Sequence, residues 1–217
     1  GSRNETKHPT RRDDRPVGFD LFEKAGLLLW PILALSVLGA AVTLQRIAYF
    51  WVARRRNRAV LDRVLPLLDR GRVEDASDAC ASVTSPVGHV LTGLLSAWSL
   101  PEAKRKALVS VAAERALREV ELGLRPLAII ARVSPLIGLL GTVLGLVEAF
   151  IAFSSGGGQP DPTQLADGIW QALLTTVAGL SVAIPAIFAY EWCAARADEQ
   201  LFSMKEAVAQ TEARRRD

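Results

Sequence analysis

The sequence predicts an all-α polytopic membrane protein with three transmembrane helices, and three observations predict it. Charged side chains are absent from Gly26 to Gln45, from Val133 to Val147 and from Gly168 to Tyr190. About 20 apolar residues carry a helix across roughly 30 Å of hydrocarbon. The first and third runs meet that length, and the second meets it with its flanks 127–132 and 148–153. Next, half of the residues are hydrophobic although 23% are charged, so charge is concentrated between the spans, where 54–125 forms one polar block and 191–217 a charged tail. Finally, the later two runs contain Thr142, Gln171, Thr175 and Thr176. Polar groups at membrane depth face a protein interior or a water-filled path.

The elements follow in order. Gly1-Ser2 has the form left by a removed expression tag, and residues 1–18 read as a disordered leader, polar and of mixed charge. Residues 19–53 hold an amphipathic lead-in at Phe19–Lys24 and then the first span, about Gly26 to Val52, with Pro31 early enough to sit near a helix start. This run is too long for a signal peptide and continues to Arg46 and the interfacial group Tyr49-Phe50-Trp51, so it reads as a retained anchor. Residues 54–126 read as a cytoplasmic helical domain. Leu61, Val64, Leu65 and Leu68 keep a helical spacing that Gly71 ends, and Pro101-Glu102 opens a longer helix with i, i+4 pairs at Glu114/Arg118 and Arg115/Glu119. That helix is expected to reach the second span, 127–154, with Pro126 and Pro135 as kink positions. The Ser/Gly/Pro-rich stretch 155–164 is a periplasmic turn. The third span is 165–191, and its helix is expected to continue through Ala195 into a cytoplasmic helical tail, 192–217, so that long helical extensions reach into the cytoplasm.

Orientation comes from basic residues. Arg54-Arg55-Arg56 and Arg214-Arg215-Arg216 place the block and the tail in the cytoplasm, and the connector 154–164 holds no Lys or Arg. Three spans then put the N-terminus outside, against the pull of Arg3, Lys7, Arg11, Arg12 and Arg15. Trp30, Tyr190 and Trp192 fit interfacial belts.

On the second span, Ser134, Gly138, Thr142 and Gly145 share a face, and Gly141 and Gly145 form a pair that lets helices approach closely. On the third, Gly168, Ala172, Thr176, Gly179 and Ala183 form a second small-residue face, with Gln171 and Thr175 one residue round. These glycines are packing positions. Thr142 and Thr176 both fall near the midplane, with Gln171 nearer the outside. Hydroxyls there can donate, accept, or coordinate water or a small cation, but they do not ionise at neutral pH. A pore built from this chain alone has no titratable group at its centre, so proton coupling needs a carboxylate from a partner. Arg132 and Glu148 are candidate mouths of the pathway, with snorkelling to the headgroups as the plainer account.

Other chemistries are excluded or weak. The net charge of +3 is small and mixed with acids, which argues against nucleic acid. Cys80, Cys193, His8 and His89 are isolated, without metal spacing. No nucleophile–base–acid set is present, and the Gly156–Gly158 run lacks the Lys-Ser/Thr of a phosphate loop, so neither an enzyme nor a cofactor is expected.

The stretches Leu21–Pro31 (LFEKAGLLLWP), Pro135–Gly145 (PLIGLLGTVLG) and Gly168–Ala186 (GIWQALLTTVAGLSVAIPA) closely resemble the ExbB/TolQ family, part of the MotA/TolQ/ExbB proton channel superfamily and here most like ExbB. The likeness covers about residues 19–200. It implies a homopentamer of three-span subunits in the bacterial inner membrane. Its central pore would enclose a dimer of single-span ExbD/TolR-like partners bearing an intramembrane aspartate, and a TonB/TolA-like protein would meet the outer face of the first span. Ion flow, with H+ the default and Na+ also compatible, would drive rotation and power envelope work or outer-membrane transport. The family's pore-facing threonines correspond to Thr142 and Thr176. One departure stands out: Gln171 occupies a position where the family usually carries Glu. Gln171 is either a natural variant or an engineered neutralisation, so a non-conducting scaffold is the rival reading.

Overall fold

The computed structural model describes residues 28–155 and 162–216. The leader, the lead-in Phe19–Lys24, the start of the first span and the connector's centre at 156–161 lie outside them. The described residues form α1 (Leu29–Asp69), α2 (Val73–Ala81), α3 (Pro86–Ser96), α4 (Glu102–Leu122), α5 (Arg125–Ser155) and α6 (Pro162–Arg216), with no strand among them. Three runs are long and apolar enough to cross a membrane: α1, α4 continued by α5, and α6.

The first span and the helix after it are one unbroken α1. Its buried stripe, Phe50, Ala53, Asn57, Val60, Val64 and Leu68, keeps the same period while its surroundings change from lipid to protein. The helix ends where expected. Gly71 takes φ +71°, a conformation that glycine adopts without a Cβ penalty, and the Arg72 N–H turns back to the Leu67 carbonyl at 2.9 Å. Ser85 caps α3 by accepting from the Gly88 N–H at 3.0 Å, with Pro86 in the first turn.

The helix opened by Glu102 does not run straight into the second span. It breaks at Gly123–Leu124, and α5 restarts with Pro126 as its second residue, where a missing N–H costs nothing. The Arg46 guanidinium of α1 occupies the space that a side chain at Gly123 would need. The third span extends far past Ala195, to Arg216. The cause is a stripe of buried residues, Cys193, Ala197, Gln200, Met204, Ala207 and Thr211, spaced alternately four and three apart.

Three packed clusters stack along the molecule. Outside the membrane, Val60 and Val64 of α1, Leu91 and Leu94 of α3, Ala116 of α4 and Met204 of α6 share one core. Phe50, Val120, Leu127 and Cys193 form the next, at the membrane edge. Ile130, Ala131 and Ala186 join α5 to α6 within the spans. Polar side chains staple the tail of α6 to the rest. Asn57 donates to Gln200 and accepts from the Val87 N–H, buried Arg105 pairs with Glu212 at 3.2 Å, and Arg214 pairs with Asp69 at 2.7 Å. Above that domain apolar side chains dominate the outward faces: Val37, Leu44, Leu136, Val143, Phe150, Val177 and Phe188 are all exposed. Such a surface is stable against hydrocarbon or another apolar chain rather than water. The protein is a multi-pass membrane protein.

Candidate ion pathway at the seam of two transmembrane helices

Small residues bring α5 and α6 into close antiparallel contact. Working along the pair, Gly168 meets Ala149, Gly145 meets Ala172, Gly141 meets Thr175, and Gly179 meets Ser134 and Gly138. A Cβ on Gly179 would lie 2.6 Å from the Ser134 carbonyl oxygen and 3.0 Å from the Gly138 Cα. One on Gly145 would lie 2.9 Å from the Ala172 Cβ. Backbones this close are held by dispersion, which is how helices associate in lipid, where apolar side chains gain nothing by leaving hydrocarbon.

The packing decides which hydroxyl goes where. The buried face of α6 is Ala172, Thr175, Gly179, Ala183 and Ala186, so Thr175, at 4% exposed, takes the seam position that the sequence pattern assigns to Thr176. Thr176 sits at the rim, half-buried. Likewise Gly141, not Thr142, belongs to the α5 face, and Thr142 lies one residue round. Gly138, Gly141, Gly145 and Gly179 all lie in the seam. Gln171 precedes Ala172 and is half-buried. Ser134 was read only as a small residue, yet it is fully buried with its hydroxyl unpartnered.

The hydroxyl protons have defined destinations. Thr142 donates to the Leu139 carbonyl at 2.7 Å, and Thr175 donates to the Ala172 carbonyl at 2.6 Å. Thr176 donates across the seam to the Gly138 carbonyl at 2.9 Å. With those protons committed, each oxygen offers its lone pairs. Such a group accepts from water or a protonated carboxyl, or coordinates a small cation. No carboxylate or amine of the chain itself lies between Val133 and Val147 or between Gly168 and Tyr190.

Arg132 and Glu148 are exposed at the two ends of the α5 run. Sixteen residues of helix separate them by about 24 Å, close to the hydrocarbon thickness. Both headgroup levels are therefore within their reach. The centre of the seam is close-packed, with no room for a passing ion between the two helices. Thr142 and Thr176 present acceptor oxygens at its rim.

Comparison with known proteins identifies relatives of this chain. Residues 86–206 match the family model described as the MotA/TolQ/ExbB proton channel family. The chain is 26% identical to the biopolymer transport protein exbB1 of Vibrio cholerae, over 87% of this chain and 84% of that one. It is 34% identical to an ExbB-like protein of Synechocystis, over 81% and 70% of the two chains. It is 32% identical to the Tol-Pal system protein TolQ of Haemophilus influenzae, over 79% and 81%. With three membrane-crossing helices, a matched stretch that contains both α5 and α6, and a similarity that extends to α1, the chain belongs to the MotA/TolQ/ExbB proton channel family.

Proposed function

We propose that this chain is the channel-forming subunit of an ion-driven rotary motor in the bacterial inner membrane. Five copies surround a dimer of single-span ExbD/TolR-like partners, with the N-terminus outside and the α1–α4 domain and α6 tail in the cytoplasm. The carrying observation is that Thr142 and Thr176 give their protons to backbone carbonyls. They thereby become acceptors at a depth where the chain has no titratable group. A partner aspartate supplies that group. When protonated it donates to a threonine oxygen; when ionised its charge is costly in hydrocarbon and drives it toward water. Alternation between those states is a physical basis for stepwise rotation. Protons suit this chemistry best, and sodium also fits acceptor oxygens. A TonB/TolA-like protein on the outer face of α1 would carry the work to the envelope.

The half-buried Gln171 favours a second reading, a pentamer that holds its partners but conducts nothing. Reconstitution separates the two. The protein is placed in proteoliposomes with and without the single-span product of its neighbouring reading frame, and proton uptake is followed under an imposed potential. Uptake that requires both proteins is the expected result. A complex that forms yet stays as tight as empty liposomes supports the scaffold.

A further inference from the structure

A cavity of about 400 Å3 opens where α1 leaves its apolar run, on a side of the molecule to which α5 and α6 contribute nothing. Its floor includes the buried Ala53 of α1 and Ala116 of α4, with Val52 at the opening. Its rim carries Tyr49 and Arg56 of α1, His89 of α3 and Glu119 of α4. The depth is set by its neighbours. Val52 closes the first apolar run and Arg54-Arg55-Arg56 follow. Exposed Trp51, with the Arg55 guanidinium 3.8 Å above its ring, is the kind of side chain that marks the headgroup level. The cavity therefore opens at the level of lipid headgroups, and its volume is that of a small-ligand site.

Its rim holds both signs of charge. The Arg56 guanidinium is anchored by donating to the Thr84 carbonyl at 3.2 Å, which leaves further N–H groups, and His89 adds an imidazole. Glu119 contributes a carboxylate. A purely anionic headgroup would set its phosphate against Glu119, and a choline headgroup has no N–H to give that carboxylate. A primary ammonium two carbons from a phosphodiester answers both needs. Its N–H groups reach Glu119, and its phosphate oxygens accept from Arg56 and His89. The apolar floor takes the first methylenes of the lipid.

We propose that this cavity binds a phosphatidylethanolamine headgroup, joining α1, α3 and α4 through a lipid of the leaflet they face. Which leaflet that is rests on the orientation proposed above; the binding does not depend on ion conduction.

The test is native mass spectrometry of the full-length protein, incubated with equal amounts of phosphatidylethanolamine, phosphatidylglycerol and phosphatidylcholine of identical acyl chains. Retention of the ethanolamine lipid over each of the others by roughly fivefold is expected, a modest gain in the range of single charge-assisted contacts. Glu119→Gln should erase the preference over phosphatidylglycerol, and Arg56→Gln should weaken retention of all three. Because Arg56 also holds Thr84, Glu119→Gln is the deciding variant, with helicity matched to the unaltered protein. Equal retention of the three lipids, an excess of phosphatidylglycerol, or an ethanolamine preference unchanged in Glu119→Gln overturns the proposal.

Discussion

The Thr176 hydroxyl crosses from α6 to the Gly138 carbonyl of α5 at 2.9 Å, beside the point where Gly138 and Gly179 stand back to back. One side chain therefore serves two purposes. It ties the helix pair together, and it leaves an acceptor oxygen at the rim. The two roles differ in magnitude, which makes them separable. Hydroxyl bonds between helices in membranes average only about 0.6 kcal/mol, and Gly138 keeps its own helical hydrogen bond when Thr176 is lost.

Thr176→Val should accordingly lower stability by no more than about 1 kcal/mol, read as the midpoint of unfolding in mixed detergent micelles. Partner-dependent proton uptake should fall by at least about tenfold, and Thr176→Ser should restore most of it. A valine variant that conducts like the unaltered protein removes Thr176 from the pathway.

Gly141→Ala tests the seam. A Cβ at Gly141 collides with the Thr175 hydroxyl and its Cβ, and Thr175 is buried with its Oγ committed to Ala172. Overpacking of this kind costs about 1–3 kcal/mol. Adding Thr175→Ala should recover part of that loss, because the contact with the hydroxyl goes while the contact with the Cβ, at 2.8 Å, remains. Additive losses in the double variant would mean that the two residues do not meet.

Much of this architecture was legible in the sequence, and what was hidden has a common cause. The three spans, the end of α1 at Gly71, the start of α4 at Glu102 and the small-residue stripes are local signals, each written within a turn or two of helix. The exchange of places between Thr175 and Thr176 was not local. Both lie within one residue of the same stripe, and only the fit against Gly141 decides which turns inward. That α1 passes unbroken from its span to Asp69 was hidden, because Arg54-Arg55-Arg56 interrupts the apolar run without breaking the helical period. Arg46 against Gly123 joins residues far apart in the chain, and nothing near either one announces the contact. Asn57 could have been found: it occupies a stripe position with Val60 and Val64, and a polar residue there demands a partner.

That partner set predicts the effect of Asn57→Ala. The amide donates to Gln200 and its oxygen receives the Val87 N–H at 3.4 Å, one of the donors that the start of α3 cannot satisfy internally. Truncation leaves Gln200 and Val87 buried with those partners gone, at a cost of about 1–3 kcal/mol. Chemical denaturation monitored by circular dichroism measures it. A change within about 0.5 kcal/mol would show that water reaches both groups.

Cys80 gives the helical domain outside the spans a pH dependence. Burial pushes its thiol from the ordinary value of 9.0 up to about 11, since an apolar core disfavours the thiolate. The folded state then holds its proton more tightly than the unfolded chain, so the stabilisation is complete below pH 9. It is lost as pH rises toward 11, by an amount on the order of 2–3 kcal/mol. Unfolding midpoints measured at pH 8 and pH 10.5 should diverge, and Cys80→Ala should reduce the divergence. Maleimide labelling of the folded protein should also be slow at pH 8. Rapid labelling under those conditions contradicts the burial.

Gln171 is the position at which conduction and scaffolding part company. It lies on α6 five residues before Thr176, about 7.5 Å along the axis, and is half-buried beside the seam residue Ala172. An amide there can relay hydrogen bonds but cannot exchange a charge with a passing ion. Gln171→Glu keeps the shape and adds an ionisable group on the outer half of the proposed path. If ions pass along the Thr142–Thr176 rim, the change should raise partner-dependent uptake. It should also give uptake a pH dependence that the amide form lacks, because a carboxyl titrates and an amide does not. The amide form should then show the slower flux of a path that lacks this carboxylate. Identical uptake and identical pH profiles for the two proteins would place residue 171 outside the pathway, and the rim would have to conduct with its threonines and the partner's aspartate alone.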